Sequence, residues 1–210
     1  MDVLLRGLII SLQLTGISIA LALVFGLLAA ILRLSRNFVL SKVTATYIEF
    51  FRCTPTLIQI IWIFYCLPLV LGISISGFVC GILALTLNLT AFYAEAFRSG
   101  IQAIAKDQVD AAIALGLSPA QRMRYVILPQ AVRIVIPVLL TMGVGIFQQS
   151  SLVSTVAIAD LMYEGRVLAT RFYRPLEILS VVAVIYFIIA FPITQAVRVV
   201  EIKLAKKLER

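Results

Sequence analysis

The chain contains no histidine among its 210 residues. That absence removes His-based proton relays, metal sites and catalytic triads from it. Cysteine is scarce: Cys53, Cys66 and Cys80 all lie in apolar surroundings without metal-ligand spacing. They read as small core residues. Acidic residues are few, 10 against 18 Lys and Arg, which gives a net charge of +8. A Walker A loop is also lacking. Gly100 to Lys106 has no glycine just before the lysine, and no Ser or Thr follows it. Energy from ATP would have to come from another chain.

What is abundant is apolar. Hydrophobic residues make up 62% of the chain, and mean hydropathy is +1.08. Soluble domains are nearer half apolar. Uncharged runs of about twenty residues or more read as membrane-crossing helices. Leu8 to Leu32 is one, too long for the apolar part of a signal peptide. Cys53 to Ala94 carries no charge at all, and Gly72 to Gly77 offers a tight turn within it. The expected architecture is all-α and polytopic. It has spans at about 8–32, 45–71, 77–99, 131–157 and 176–198, in a single transmembrane domain over residues 1–210. Pro55 should kink the second span near its inner end. Met1 to Gly7 reads as a short flank, and Asp160 to Pro175 as a polar outer segment with a short helix. Asp160, Glu164, Arg166 and Arg171 are expected there as solvated charges, able to meet a docking protein. Arg198 to Arg210 is a basic tail.

Five spans place the termini on opposite sides. With the N-terminus outside, fourteen of the 18 basic residues fall on the inner side. The positive-inside rule therefore sets the orientation, with a cytoplasmic C-terminus. The positive charge is a topology signal and not a nucleic-acid footprint.

The cytoplasmic loop of about residues 100–130 has internal order. Lys106 to Leu115 can form a short helix with Ala111, Ala112 and Leu115 on one side. Gly116 supplies a left-handed turn after it. Ser118-Pro119-Ala120-Gln121 then restarts a helix with a capping box, which Pro129 ends or kinks. Within the spans, Gln59, Asn88, Gln148, Gln149, Ser150 and Ser151 are polar groups at hydrocarbon depth. Each must face protein or water. Helix–helix bonding and substrate contact both remain open for them, with the glutamines leaning toward a translocation path. Glu95 and Arg98 are spaced for an ion pair on one helix face, as are Glu49 and Arg52.

The stretch Asp110-Ala111-Ala112, Gly116 and Val126-x-Leu128-Pro129 resembles the EAA loop of membrane subunits of bacterial ABC importers. Asp stands for Glu and Val for Ile. Three further pieces resemble the polar amino-acid permease branch, the histidine/glutamine type. They are Arg52-Cys53-Thr54-Pro55 with Gln59, Tyr93-Ala94-Glu95 with Arg98-Ser99-Gly100-Ile101-Gln102, and Gln148-Gln149-Ser150-Ser151-Leu152. Many members carry a Lys or Asp in the last cluster, which is absent here. Gln148 to Leu152 and Ala157 to Met162 look somewhat like glutamate/aspartate permease subunits.

The resemblance implies a non-catalytic permease subunit in a bacterial plasma (inner) membrane. It implies a partner permease, identical or related, two copies of an ATPase that bind ATP and Mg²⁺, and an external substrate-binding protein. No cofactor belongs to this chain. Asp107, Asp110, Ala111, Ala112, Leu115 and Gly116 would form the ATPase-coupling element, with Gly116 as a pivot. Gln59, Asn88, Glu95, Gln148, Gln149, Ser150 and Ser151 would line the substrate path. Arg52, Thr54 and Pro55 form the second-helix motif. The alternatives are an ion-coupled secondary transporter or channel without an ATPase, and a non-transporting scaffold. The first would show ionisable groups deep in its spans. The second would have no use for a dockable cytoplasmic helix.

Overall fold

A computed structural model describes residues 2–208. Met1 of the expected flank and Glu209 and Arg210 of the basic tail lie outside the described residues. All regular structure in that range is helical. Helix α1 spans Asp2–Arg33, so the expected flank is its first turn and not a separate segment. Helix α2 spans Phe38–Cys53, α3 Thr56–Ile61 and α4 Leu67–Leu71. Helix α5 spans Gly77–Gln102. The loop helices are α6, Lys106–Ala114, and α7, Pro119–Arg122. Helix α8 spans Leu128–Gln149 and runs on as a 3₁₀ turn over Ser150–Val156. Helix α9 is Leu161–Phe172 and α10 is Pro175–Leu208. Four helical stretches are long and apolar enough to cross a membrane, and the pair from Phe38 to Leu71 makes a fifth if it counts as one broken span.

That pair departs from the expected kinked helix over 45–71. The chain bends by 107° between α2 and Thr56–Leu71. Pro55 lacks an N–H and bars its predecessor from the helical region. Thr54 is accordingly extended, at φ −100 and ψ 135. Pro129 departs in the opposite direction. The helix neither ends nor restarts there. A π turn over Met123–Ile127 lets Leu128 N–H bond five residues back to Met123, and α8 continues through the proline. The same device, over Trp62–Cys66, precedes Pro68. A widened turn removes the need for the missing N–H.

Helices α1 and α5 pack along most of their length. The buried face of α1 is a stripe of small residues, Gly7, Ser11, Thr15, Ser18, Ala22, Gly26 and Ala30. Inside a membrane there is no hydrophobic drive between helices, and small residues let backbones approach for dispersion contacts. Gly26 shows how close: a Cβ there would lie 2.7 Å from Tyr93 Cβ. Around this pair the core gathers Leu14, Ile60, Leu85, Leu89, Val135 and Ile146 from α1, α3, α5 and α8. Helix α10 is held at the edge, against α8 and α9, and presents most of its surface outward. Gly165 of α9 allows that contact, since a Cβ would meet Val182 at 2.5 Å.

Candidate functional site

The loop between α5 and α8 is a helical hairpin. Leu115 closes α6, and Gly116 follows at φ +72, where an L side chain is strained. Gly116 N–H donates to Ile113 O at 2.8 Å and Leu117 N–H to Ala112 O at 3.1 Å. These are the paired bonds of a Schellman turn. Ser118 then caps α7: Gln121 N–H donates to its hydroxyl at 3.4 Å, and Ser118 N–H donates to Gln121 Oε1 at 2.9 Å. The arms are tied by Gln130 Nε2 donating to Gln108 Oε1 at 3.0 Å.

The outward face differs from the expected one in one residue. Ala112 is 2% exposed, turned with Gln108 toward the second arm. Asp107, Ala111 and Leu115 form the exposed row one helical turn apart, and Asp110 is exposed beside it. Leu115 is 79% exposed and Ile113 51%. An apolar knob on a capped, cross-tied hairpin is a shape suited to a groove in another protein.

A second constellation sits at the break between α2 and α3. Gln59 is buried, and its Nε2 donates to Phe51 O and Thr54 O, both at 2.9 Å. These carbonyls belong to the broken end of α2. Asn88 of α5 donates to Gln59 Oε1 at 3.1 Å and to Phe51 O at 3.3 Å. The two amides thus cap the break, and the structure brings them together as a lock. Thr56 Oγ1 donates to Gln149 Oε1 at 3.0 Å, joining the start of α3 to the end of α8. Gln148 is exposed next to it. The hydroxyls of Ser150 and Ser151 turn back to Phe147 O and Gln148 O, at 2.8 and 2.7 Å.

Toward the C-terminal end of α5, Arg98 clasps Glu95 with two nitrogens. Its Nε lies 2.9 Å from Oε2, and a third nitrogen reaches Gln102 Oε1. Arg52 is held more loosely. It lies 3.9 Å from Glu49, and its guanidinium stands 5.8 Å from the centre of the Phe92 ring. Thr54 and Pro55 shape the break that places it.

On the other side of the membrane, the expectation of a solvated Asp160 is overturned: the residue is 0% exposed. It caps α9 by accepting from Tyr163 N–H at 2.9 Å and Met162 N–H at 3.3 Å, and the Tyr186 hydroxyl of α10 donates to it at 3.4 Å. Leu161 N–H donates to Ser11 Oγ of α1 at 3.2 Å. Burial pushes the Asp160 carboxyl up from 3.8 to about 6, against the pull of those donors. Gly7 lets α1 pass, since a Cβ there would lie 2.8 Å from Asp160 O. Tyr93, quoted above only as part of a family segment, donates its hydroxyl to Leu139 O at 3.1 Å, and Tyr47 donates to Leu87 O at 2.8 Å; these joints between helices are roles the sequence did not assign. A buried phenol needs a partner, but nothing in the local sequence says which.

The profile of the family described as binding-protein-dependent transport system inner membrane component matches residues 22–206. A probable amino-acid ABC transporter permease protein of Sinorhizobium fredii is 35% identical over 207 residues, covering 99% of this chain and 89% of that protein. The glutamate/aspartate import permease protein GltK of Escherichia coli is 32% identical over 194 residues, with 89% and 87% covered. A probable glutamine ABC transporter permease protein GlnM of Bacillus subtilis is 34% identical over 190 residues, with 90% and 88% covered. Among solved structures, an amino acid ABC transporter crystallised with histidines superposes with a TM-score of 0.91 at 32% identity, covering 96% of this chain and 94% of that one. The inward-facing MetNI methionine ABC transporter superposes at 0.73 and 22% identity, over 95% and 97%, a likeness of fold.

Proposed function

The chain belongs to the family of binding-protein-dependent transport system inner membrane components, and from that premise we propose that it is the permease subunit of an ATP-driven importer for a polar amino acid. It is a multi-pass protein of the inner membrane, with the N-terminus outside and the C-terminus in the cytoplasm. It works beside a second permease, identical or related. Each copy engages one ATPase subunit, which holds ATP and Mg²⁺, and an external binding protein delivers the amino acid. The relatives named for glutamate/aspartate and for glutamine stand at similar identity. The reading is therefore a polar amino acid, with glutamate or aspartate favoured by the Gln148–Leu152 and Ala157–Met162 segments.

The observation that carries this reading is the hairpin. Its exposed row of Asp107, Ala111 and Leu115 is rigidly tied to α8 through the π turn and to α5 through the short link at 103–105. A force applied to α6 therefore reaches both spans. ATP binding closes the two ATPases, carries the hairpins together and opens the path outward, and hydrolysis resets it. Gly116 is the pivot. The long uncharged runs give an ion-coupled transporter little to titrate, which leaves that alternative without support.

The test is a disulfide cross-link from Leu115→Cys, in a background lacking the native cysteines, to a cysteine in the groove of a co-expressed ATPase. Ala112 is too buried to serve. A cross-link whose yield changes with ATP is expected. Its absence in an assembled complex, or normal uptake by a Gly116→Asp variant, would sink the coupling role or the pivot respectively.

A further inference from the structure

We propose that Arg52 and the cavity below the helix break form a binding station for the α-carboxylate of the transported amino acid. This rests on the permease reading above and adds to it a named recognition group. Helix α5 has 26 residues, or about 39 Å at ~1.5 Å per residue. The hydrocarbon core is about 30 Å thick. Phe92, the residue under the Arg52 guanidinium, lies about 15 Å along the axis from the inner end at Gln102. Arg52 is thus inside the hydrocarbon depth. A charge there faces protein or a water-filled path, and marks function more often than packing.

Its surroundings leave the charge available. Among the described residues, the one acidic side chain within ion-pair distance is Glu49, at 3.9 Å and itself 66% exposed. Glu95 lines the same cavity, yet both its oxygens are taken by Arg98. The Arg52 side chain is 33% exposed. It borders a cavity of about 320 Å³ shared with Phe92, Glu95, Ser99, Val135 and Met142. That is at the small end of ligand pockets, roughly 300–1,000 Å³, and suits a free amino acid. The planar guanidinium fork matches a carboxylate and donates two parallel hydrogen bonds to it. The Phe92 ring lies under the guanidinium at 5.8 Å, and the helix break ends α2 just past Arg52. The cavity extends down to Ala103, which closes α5 just before α6 begins. The station therefore lies between the locked break and the coupling hairpin, where hairpin motion would change its walls. Every amino acid carries an α-carboxylate, so Arg52 recognises the class and leaves the side chain to other residues.

The test measures equilibrium binding of radiolabelled L-glutamine, L-glutamate and their α-amides to the purified permease–ATPase complex, without the binding protein. The wild-type complex is expected to bind the amino acids and discriminate against the amides. Arg52→Gln should weaken amino-acid binding about tenfold to a hundredfold and abolish that discrimination, with Arg52→Lys between. Glu49→Gln, which removes the competing acid, should keep or tighten binding. The proposal is overturned if Arg52→Gln binds acid and amide as wild type does, if the wild-type complex shows no discrimination, or if it binds neither amino acid. Where Arg52→Gln fails to assemble, the Glu49→Gln result decides: weaker binding marks a structural ion pair and overturns the proposal. A wild-type chain that forms no complex with any ATPase would instead refute the permease reading itself.

Discussion

Asp160 carries a charge cost that can be read by titration. Its folded-state pKa of about 6 stands above the ordinary 3.8. The unfolded chain therefore gives up the proton first as pH rises. Stability from this group is full below about pH 4 and falls as pH climbs to about 6, by roughly 3 kcal/mol. In detergent, the thermal midpoint of Asp160→Asn minus that of wild type should rise across that window. A flat difference would show that burial does not perturb the carboxyl. Asparagine caps a helix about as well as aspartate, so the cap itself survives. Gln59 and Asn88 make a second residue-scale prediction. Removing Gln59 leaves Thr54 O unpaired, and removing Asn88 leaves Gln59 Oε1 unpaired, each at about 1–3 kcal/mol. Because they share partners, Gln59→Ala and Asn88→Ala should be non-additive by about 1 kcal/mol in a double-mutant cycle. Strict additivity would mean the lock is not a unit.

At the scale of elements, the approach of α5 to α8 depends on Gly100. A Cβ there would lie 2.1 Å from Val135 Cγ2. Gly100→Ala should destabilise the protein by about 1–3 kcal/mol through overpacking, and Val135→Ala should restore most of it. Thermal unfolding of the single and double variants checks this. A fully stable Gly100→Ala variant would show that the helices can part without loss. The same pair of helices flanks the hairpin, so under the proposed coupling role their contact lies on the route from the ATPase to the membrane.

For the whole molecule, the distribution of basic residues predicts which face sees which compartment. In intact cells, Thr170→Cys in α9 should react with an impermeant maleimide, and Leu115→Cys only after permeabilisation. The reverse pattern would invert the topology. The broad apolar outer surfaces, most of all on α10, fit lipid and the second permease of the proposed assembly.

The sequence by itself determined the all-α membrane class and the hairpin with its caps. These depend on local features: uncharged runs, a glycine after a helix, a serine three residues before a glutamine. The Glu95–Arg98 and Glu49–Arg52 pairs were legible for the same reason, being neighbours on one helix. Only the tertiary structure decided the rest. The break at Pro55 is closed by Gln59, which caps Phe51 O and Thr54 O, and by Asn88 arriving from another helix to bond Gln59 and Phe51 O. The burial of Asp160 depends on α1 and α10 closing over it, and the small-residue stripe of α1 acquires meaning only against Tyr93. Arg52 falls within the expected second span, and only the fold shows that α2 ends there, setting Arg52 against Phe92 of α5 and beside a cavity. Such facts are set by distant residues meeting in a medium with no water to satisfy them, and local sequence cannot report which residues will meet.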